Sequence, residues 1–199
     1  EMMVLAAALT IQDPRERPAE VRGTADEMHA RFTDDKSDFS SFLLLWQYVN
    51  ERQAELSSSQ LRKMCHREFI NFLRIREWQD LFAQLREMGR TANIRVSNGR
   101  DIDASGREVE IHKSLLSGLL SHVGAKEERE KTYGKAPRGP REYLGARGTK
   151  FAIFPGSGLF KQNPDWVLSA ELVETSRLWA RTNAAIEPQW VEEVGGHLL

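Results

Sequence analysis

One cysteine, Cys65, is all that the 199 residues contain, which excludes an internal disulfide and fits a reducing cytoplasm. Long apolar runs are lacking as well. The longest, residues 43–46 and the opening 2–9, fall far short of a bilayer span. No basic stretch precedes an apolar core and a small-residue cleavage site, so neither a membrane helix nor a signal peptide is expected. An excess of either charge is missing too: Lys+Arg 28 against Asp+Glu 29 leaves a net charge of -1. Affinity for a polyanion would have to come from local segregation of charge.

Motifs for bound nucleotide or metal are absent. A phosphate-binding loop needs a glycine five positions before its Gly-Lys pair, but Arg129 stands there ahead of Gly134-Lys135, and Ala136 replaces the hydroxyl residue. The histidines His29, His66, His112, His122 and His197 show no His-Glu-x-x-His spacing, and a lone cysteine cannot build a zinc site. The run Gly156-Ser157-Gly158 lacks the frame of a nucleophile elbow. No catalytic centre, metal site or cofactor site is therefore expected in this chain.

What is present is uneven charge. Residues 61–100 carry nine basic against four acidic side chains, or +5, and 126–150 carry eight against four, or +4. The flanking segments 1–60 and 165–199 are acidic. Solvated helix faces often produce such blocks, but they also suit a polyanion-facing surface.

The pattern changes along the chain. Met2, Leu5 and Leu9 share a helical face that ends at Asp13-Pro14. Further helices are expected over 24–32, from Asp38 through Val49, and as one long element over 60–88. Long helices joined by short loops make a bundle. A helix over 108–120 follows, then a charged, Gly- and Pro-punctuated insert over 126–141 read as a loop. Short strand-like runs at 142–145, 149–154, 166–175 and 178–186 suggest a small β-barrel or sandwich, with a final helical turn beginning at Pro188.

Three stretches carry a family resemblance. Residues 9–18, Leu-Thr-Ile-Gln-Asp-Pro-Arg-Glu-Arg-Pro, resemble the segment that follows the winged helix in DEAH-box RNA helicases. Ala25-Asp26 through Phe32 and Ser37-Asp38-Phe39 resemble the lead into that family's helical ratchet. Residues 154–160 (Phe-Pro-Gly-Ser-Gly-Leu-Phe), Pro164-Asp165-Trp166-Val167, 170–176 and Ile186-Glu187-Pro188-Gln189-Trp190 resemble its OB-fold, with 69–80 and 154–161 nearest the bacterial HrpA type. The resemblance implies an α+β fold, a helical ratchet bundle followed by a small OB-fold β-barrel. Its implied divisions are a winged-helix/ratchet junction at 1–22, the ratchet at 23–106 and the OB-fold at 107–199.

Because the motor domains with their nucleotide motifs and Asp-Glu-Ala-His box are missing, the chain reads as a piece of a longer cytoplasmic protein. The resemblance implies a 3′→5′ RNA helicase parent, with ATP and Mg²⁺ in its RecA-like motor. The piece itself would have no catalysis and would line the channel for single-stranded RNA, or DNA, against that motor. A rival reading is a protein-interaction module docking on the motor or a ribosomal partner.

Seven basic residues are candidate RNA contacts. Arg67 and Arg74 lie two turns apart on the expected long helix, Arg147 and Lys150 flank Gly148 in a hairpin turn, and Lys161 follows Gly158-Leu159-Phe160 in a loop. Arg177 and Arg181 share a strand face, with Trp179 between them expected on the opposite face, in the core. Plain surface ion pairing is the competing reading for each. A truncated winged helix would leave Met2, Val4 and Leu5 exposed and favour dimerisation or instability.

Overall fold

A computed structural model describes residues 1–99, 102, 106–128 and 139–196. Contacts divide the chain into two compact units, Glu1–Thr33 with Ser40–Arg107, and Asp34–Phe39 with Glu108–Leu199. The sequence reading placed the 34–39 segment with the helices that follow it.

The first unit is helical. Its elements are α1 (Met2–Ala8), α2 (Arg22–His29), α3 (Asp38–Glu55, which crosses the boundary in its first turn), α4 (Ser58–Arg67) and α5 (Phe72–Thr91). Helix α1 packs on α5, where Trp78 Nε1 donates to the Val4 carbonyl at 2.9 Å. Of the three residues expected to be exposed, Val4 and Leu5 are fully buried and Met2 alone is exposed. The core is aromatic: Trp46 packs against Trp78 and Phe82 at centroid distances of 4.9 and 5.1 Å, and Phe42 meets Trp78 edge-on at 5.9 Å.

The single helix expected over 60–88 is two. Helix α4 opens on a capping box between Ser57 and Gln60 and stops at Arg67. Phe69 then takes φ 54°, and the Asn71 side chain caps α5 by accepting the Arg74 N–H at 3.1 Å. The 13–16 segment stitches the break. Glu16 N–H donates to the Phe69 carbonyl and Asn71 N–H to the Pro14 carbonyl, both at 2.8 Å. Apolar spacing continues across the interruption, which hid it; the signal was the N-capping asparagine.

The second unit contains α6 (Glu108–Leu119), five strands and α7 (Pro188–Gly195). The strands are β1 (Val123–Lys126), β2 (Glu142–Gly145), β3 (Lys150–Ile153), β4 (Trp166–Glu174) and β5 (Leu178–Ala185). They close a barrel in the order β1-β2-β3-β5-β4, all antiparallel except β3 beside β5. Closure gives each of the five described strands a neighbour on both sides. Tyr143, Phe151, Ile153, Leu159, Val167 and Ala180 fill it.

Strand β1 was not expected, since Val-Gly-Ala-Lys has little strand character. Its glycine is required by the barrel: a Cβ on Gly124 would come within 2.4 Å of the Phe151 ring. Of the charged insert, residues 129–138 lie outside the described residues, Gly134-Lys135 among them.

Candidate nucleic-acid interface

The 34–39 segment belts the barrel. The Lys36 carbonyl accepts the Ala185 N–H at 2.8 Å, and Ser37 bridges to Ala184. The buried Asp38 carboxylate follows. Its Oδ2 accepts from Ser157 Oγ at 2.6 Å and the Asn183 N–H at 2.8 Å, and its Oδ1 from the Gly158 N–H at 2.9 Å. Asn183 in turn accepts from Ser169 Oγ at 2.8 Å and donates to the Ala180 carbonyl at 3.1 Å. One carboxylate thus fixes the β3–β4 loop to β5, through charge-assisted hydrogen bonds of the stronger kind.

That loop starts at Phe154, whose N–H donates to the Ala180 carbonyl at 2.9 Å. A Cβ on Gly156 would come within 2.9 Å of the Phe154 ring, so the glycine lets the ring lie along the β5 surface. There Phe154 meets Trp179 edge-on, centroids 6.0 Å apart and planes at 89°. Arg177 stands over the Trp179 ring at 5.5 Å and Arg181 over the Phe154 ring at 4.7 Å. Both arginines are exposed, both rings half-buried, and neither arginine has a carboxylate partner among the described residues. The result is a surface row of cation, ring, ring, cation. Such rows offer π-faces to bases and charge to phosphates.

Trp179 therefore corrects the sequence reading. Residues 177, 179 and 181 have the same parity, so the tryptophan shares the arginines' outer face, while Leu178 and Ala180 pack inward. Farther along, Thr182 takes φ 53° with the register to β4 unchanged on either side. Beyond it Ala185, of odd number, packs inward. Threonine disfavours this backbone region.

The other candidates divide. Arg147 has φ 57° between β2 and β3 and is exposed, as is Lys161; neither pairs with a carboxylate among the described residues. Lys150 is engaged by Glu127 at 2.8 Å, and that hydrogen bond holds its ammonium above the usual lysine range. Arg67 ends α4 with Glu68 at 3.3 Å, whereas Arg74, on α5, spends its guanidinium on the Asp13 carbonyl at 2.9 Å. The helix break removes the common face assigned to those two. Phe154, not among the sequence candidates, joins the row; its signal was the glycine two places on, in a segment that carries the family resemblance.

Among the described residues no group of three or more His, Cys, Asp or Glu side chains could hold a metal ion, and no helix is long and apolar enough to cross a membrane. Cys65 is buried, its thiol pushed up to about 11 by burial.

Residues 111–198 match the OB_NTP_bind family, described as an oligonucleotide/oligosaccharide-binding (OB) fold. The whole chain is 49% identical to an ATP-dependent RNA helicase HrpA homolog of Haemophilus influenzae and 49% identical to the ATP-dependent RNA helicase HrpA of Escherichia coli, covering 14% of each. Over 98% of the chain it is 27% identical to the pre-mRNA-splicing factor ATP-dependent RNA helicase prp22 of Schizosaccharomyces pombe, covering 15% of that protein. The chain thus spans about a seventh of the length of these curated relatives. With its five-stranded closed barrel and 49% identity along its full length, the chain carries an OB-fold and is homologous to a small part of the HrpA ATP-dependent RNA helicases.

Proposed function

We propose that this chain is the RNA-binding accessory region of a DEAH-type, ATP-dependent 3′→5′ RNA helicase. It has no chemistry of its own. ATP and Mg²⁺ belong to RecA-like motor domains elsewhere in the parent, whose cycle drives single-stranded RNA along a channel. The helical unit is the ratchet, and the barrel grips the strand. The observation that carries this reading is the Arg177–Trp179–Phe154–Arg181 row on the barrel's outer face. Arg147 and Lys161, both exposed, extend the basic character of the same unit. Arg67, Arg74 and Lys150 are set aside because protein groups already occupy them.

The test is a titration of the 199-residue chain with fluorescent oligouridylate across a range of salt concentrations. For a single strand, log K against log salt should slope by roughly -0.7 per neutralised phosphate. The double variant R177A/R181A should bind more weakly and with a shallower slope. Full binding by that variant would remove the barrel row from the RNA path. No binding at low salt would leave the protein-interaction reading in possession.

A further inference from the structure

The helical unit contains an apolar cavity that the RNA reading leaves unused. It opens where α4 gives way to α5, has a volume of about 510 Å³, and is lined by Phe69, Ile70, Phe72 and Leu73. Leu73 is 74% exposed in the first turn of α5, the largest exposure of any big apolar side chain described. Phe69 is held at φ 54°, a conformation costly for a bulky residue. Hydrogen bonds to the 14–16 segment from the Asn71 N–H, and from it to the Phe69 carbonyl, fix the chain immediately after this residue.

The rim is basic. Arg62 lies over the Phe72 ring at 5.1 Å and has no carboxylate partner among the described residues. His66, exposed, stands one turn on. The one lining carboxylate, Glu16, already accepts from Asn71 Nδ2 at 2.7 Å. We infer that this cavity is a docking site for a peptide segment of a separate protein, one that seats a bulky apolar side chain between Phe69 and Leu73 and pairs flanking carboxylates with Arg62 and His66.

The choice of peptide over nucleobase follows from the polar groups. Base-specific recognition would need the base edge read by hydrogen bonds. Asn71, the side-chain amide of the cavity, has its oxygen on the Arg74 N–H and its nitrogen on Glu16. The remaining walls are hydrocarbon and ring, which suit an aliphatic or aromatic anchor. The unpaired cation at the rim supplies the charge complementarity that sets orientation.

The test uses two fluorescein-labelled twelve-residue probes, identical except that one flanks its central Leu-Trp pair with glutamates and the other with lysines. The acidic probe should bind the 199-residue chain about tenfold more tightly than the basic one. L73E should abolish that binding, and R62E/H66E should reverse the preference between probes. Circular dichroism and the melting temperature of each variant verify that the helices persist. Leu73 is exposed, so L73E should leave the fold intact; the charge reversal provides an independent readout that a merely unfolded variant could not give. Equal binding of both probes, or acidic-probe binding unchanged in both variants, overturns the proposal. So does oligouridylate binding that L73E abolishes while R177A/R181A leaves it intact, which would make the cavity an RNA site. Concentration-dependent dimerisation lost in L73E would assign it to a second copy and overturn the proposal as well.

Discussion

Arg181, on β5, holds its guanidinium 4.7 Å from the centre of the Phe154 ring, although Phe154 opens the loop after β3, 27 positions earlier in the sequence. Parallel pairing of β3 with β5 brings them together, because Ile153 is opposite Ala180 and each neighbour then falls on the outer face. Trp179 and Arg177 continue the row. A base laid on this surface would find ring faces at its centre and a cation at either end.

Charge and stacking should separate in mutants of this row. W179A should weaken oligouridylate binding by about 1–3 kcal/mol while leaving the salt slope unchanged, since stacking releases no counterions. R181A should weaken binding and flatten the slope by roughly 0.7 if it neutralises one phosphate. Fluorescence anisotropy at four or more salt concentrations distinguishes the two effects.

Glu171 faces Arg181 across the β4–β5 ladder, and both are exposed. A carboxylate there repels an approaching phosphate. E171Q should therefore raise RNA affinity by about twofold to fivefold at low salt, with the gain shrinking as screening increases. An unchanged or reduced affinity would place the phosphates elsewhere.

Asp38 supports the site from behind. D38A leaves the Ser157 hydroxyl and the Gly158 and Asn183 N–H groups without their shared acceptor, at a cost of about 3 kcal/mol or more. D38N should cost less but still weaken RNA binding, because an amide presents one acceptor oxygen instead of two. Thermal unfolding followed by tryptophan fluorescence, together with the RNA titration, measures both losses.

Stability should fall on mild acidification. His112 is buried beside Ser37 Oγ at 2.7 Å, and His29 beside the Glu68 carbonyl at 3.0 Å; burial holds both imidazoles below the usual histidine range. A depressed histidine pKa means that the unfolded chain takes up protons first as pH falls through about 6.5. The folded state is thus favoured above that value and loses ground below it. Melting temperatures should drop between pH 7.5 and 5.5, and the drop should be smaller in H29Q/H112Q. Equal drops in both proteins would assign the effect to other groups.

Cys65 should be inert in the native protein. Its thiol is buried and pushed up to about 11, so little thiolate exists at neutral pH. A disulfide-exchange reagent should modify it only after denaturant is added; prompt reaction would show that the α4 region opens readily.

Much of this architecture was legible in the sequence, though unevenly. Helical spacing in 38–49 and strand alternation in 149–154 identified the element types, although burial in both extends beyond the single face that the spacing marks. Continuity failed at Arg67, where the apolar period runs on across a break maintained by partners from 13–16, far away in sequence. Strand β1 escaped because a glycine demanded by the Phe151 ring looks, in one dimension, like a turn residue. For the site, Arg177 and Arg181 could be picked out as a pair, yet the rings beneath them needed the pairing of β3 with β5, which no local pattern specifies.

The belt of residues 34–39 ties the order of synthesis to the order of folding. Asp38 and the backbone of Asn183, its partner, lie 145 positions apart, so at about 5–20 residues per second a ribosome needs roughly 7 to 30 s to supply the second after the first. During that interval the helical unit can complete itself while the barrel's keystone waits outside it, already made. A nascent chain paused near residue 180 should hold its barrel strands uncommitted, and release of the last few residues of β5 would then close barrel and belt in one event.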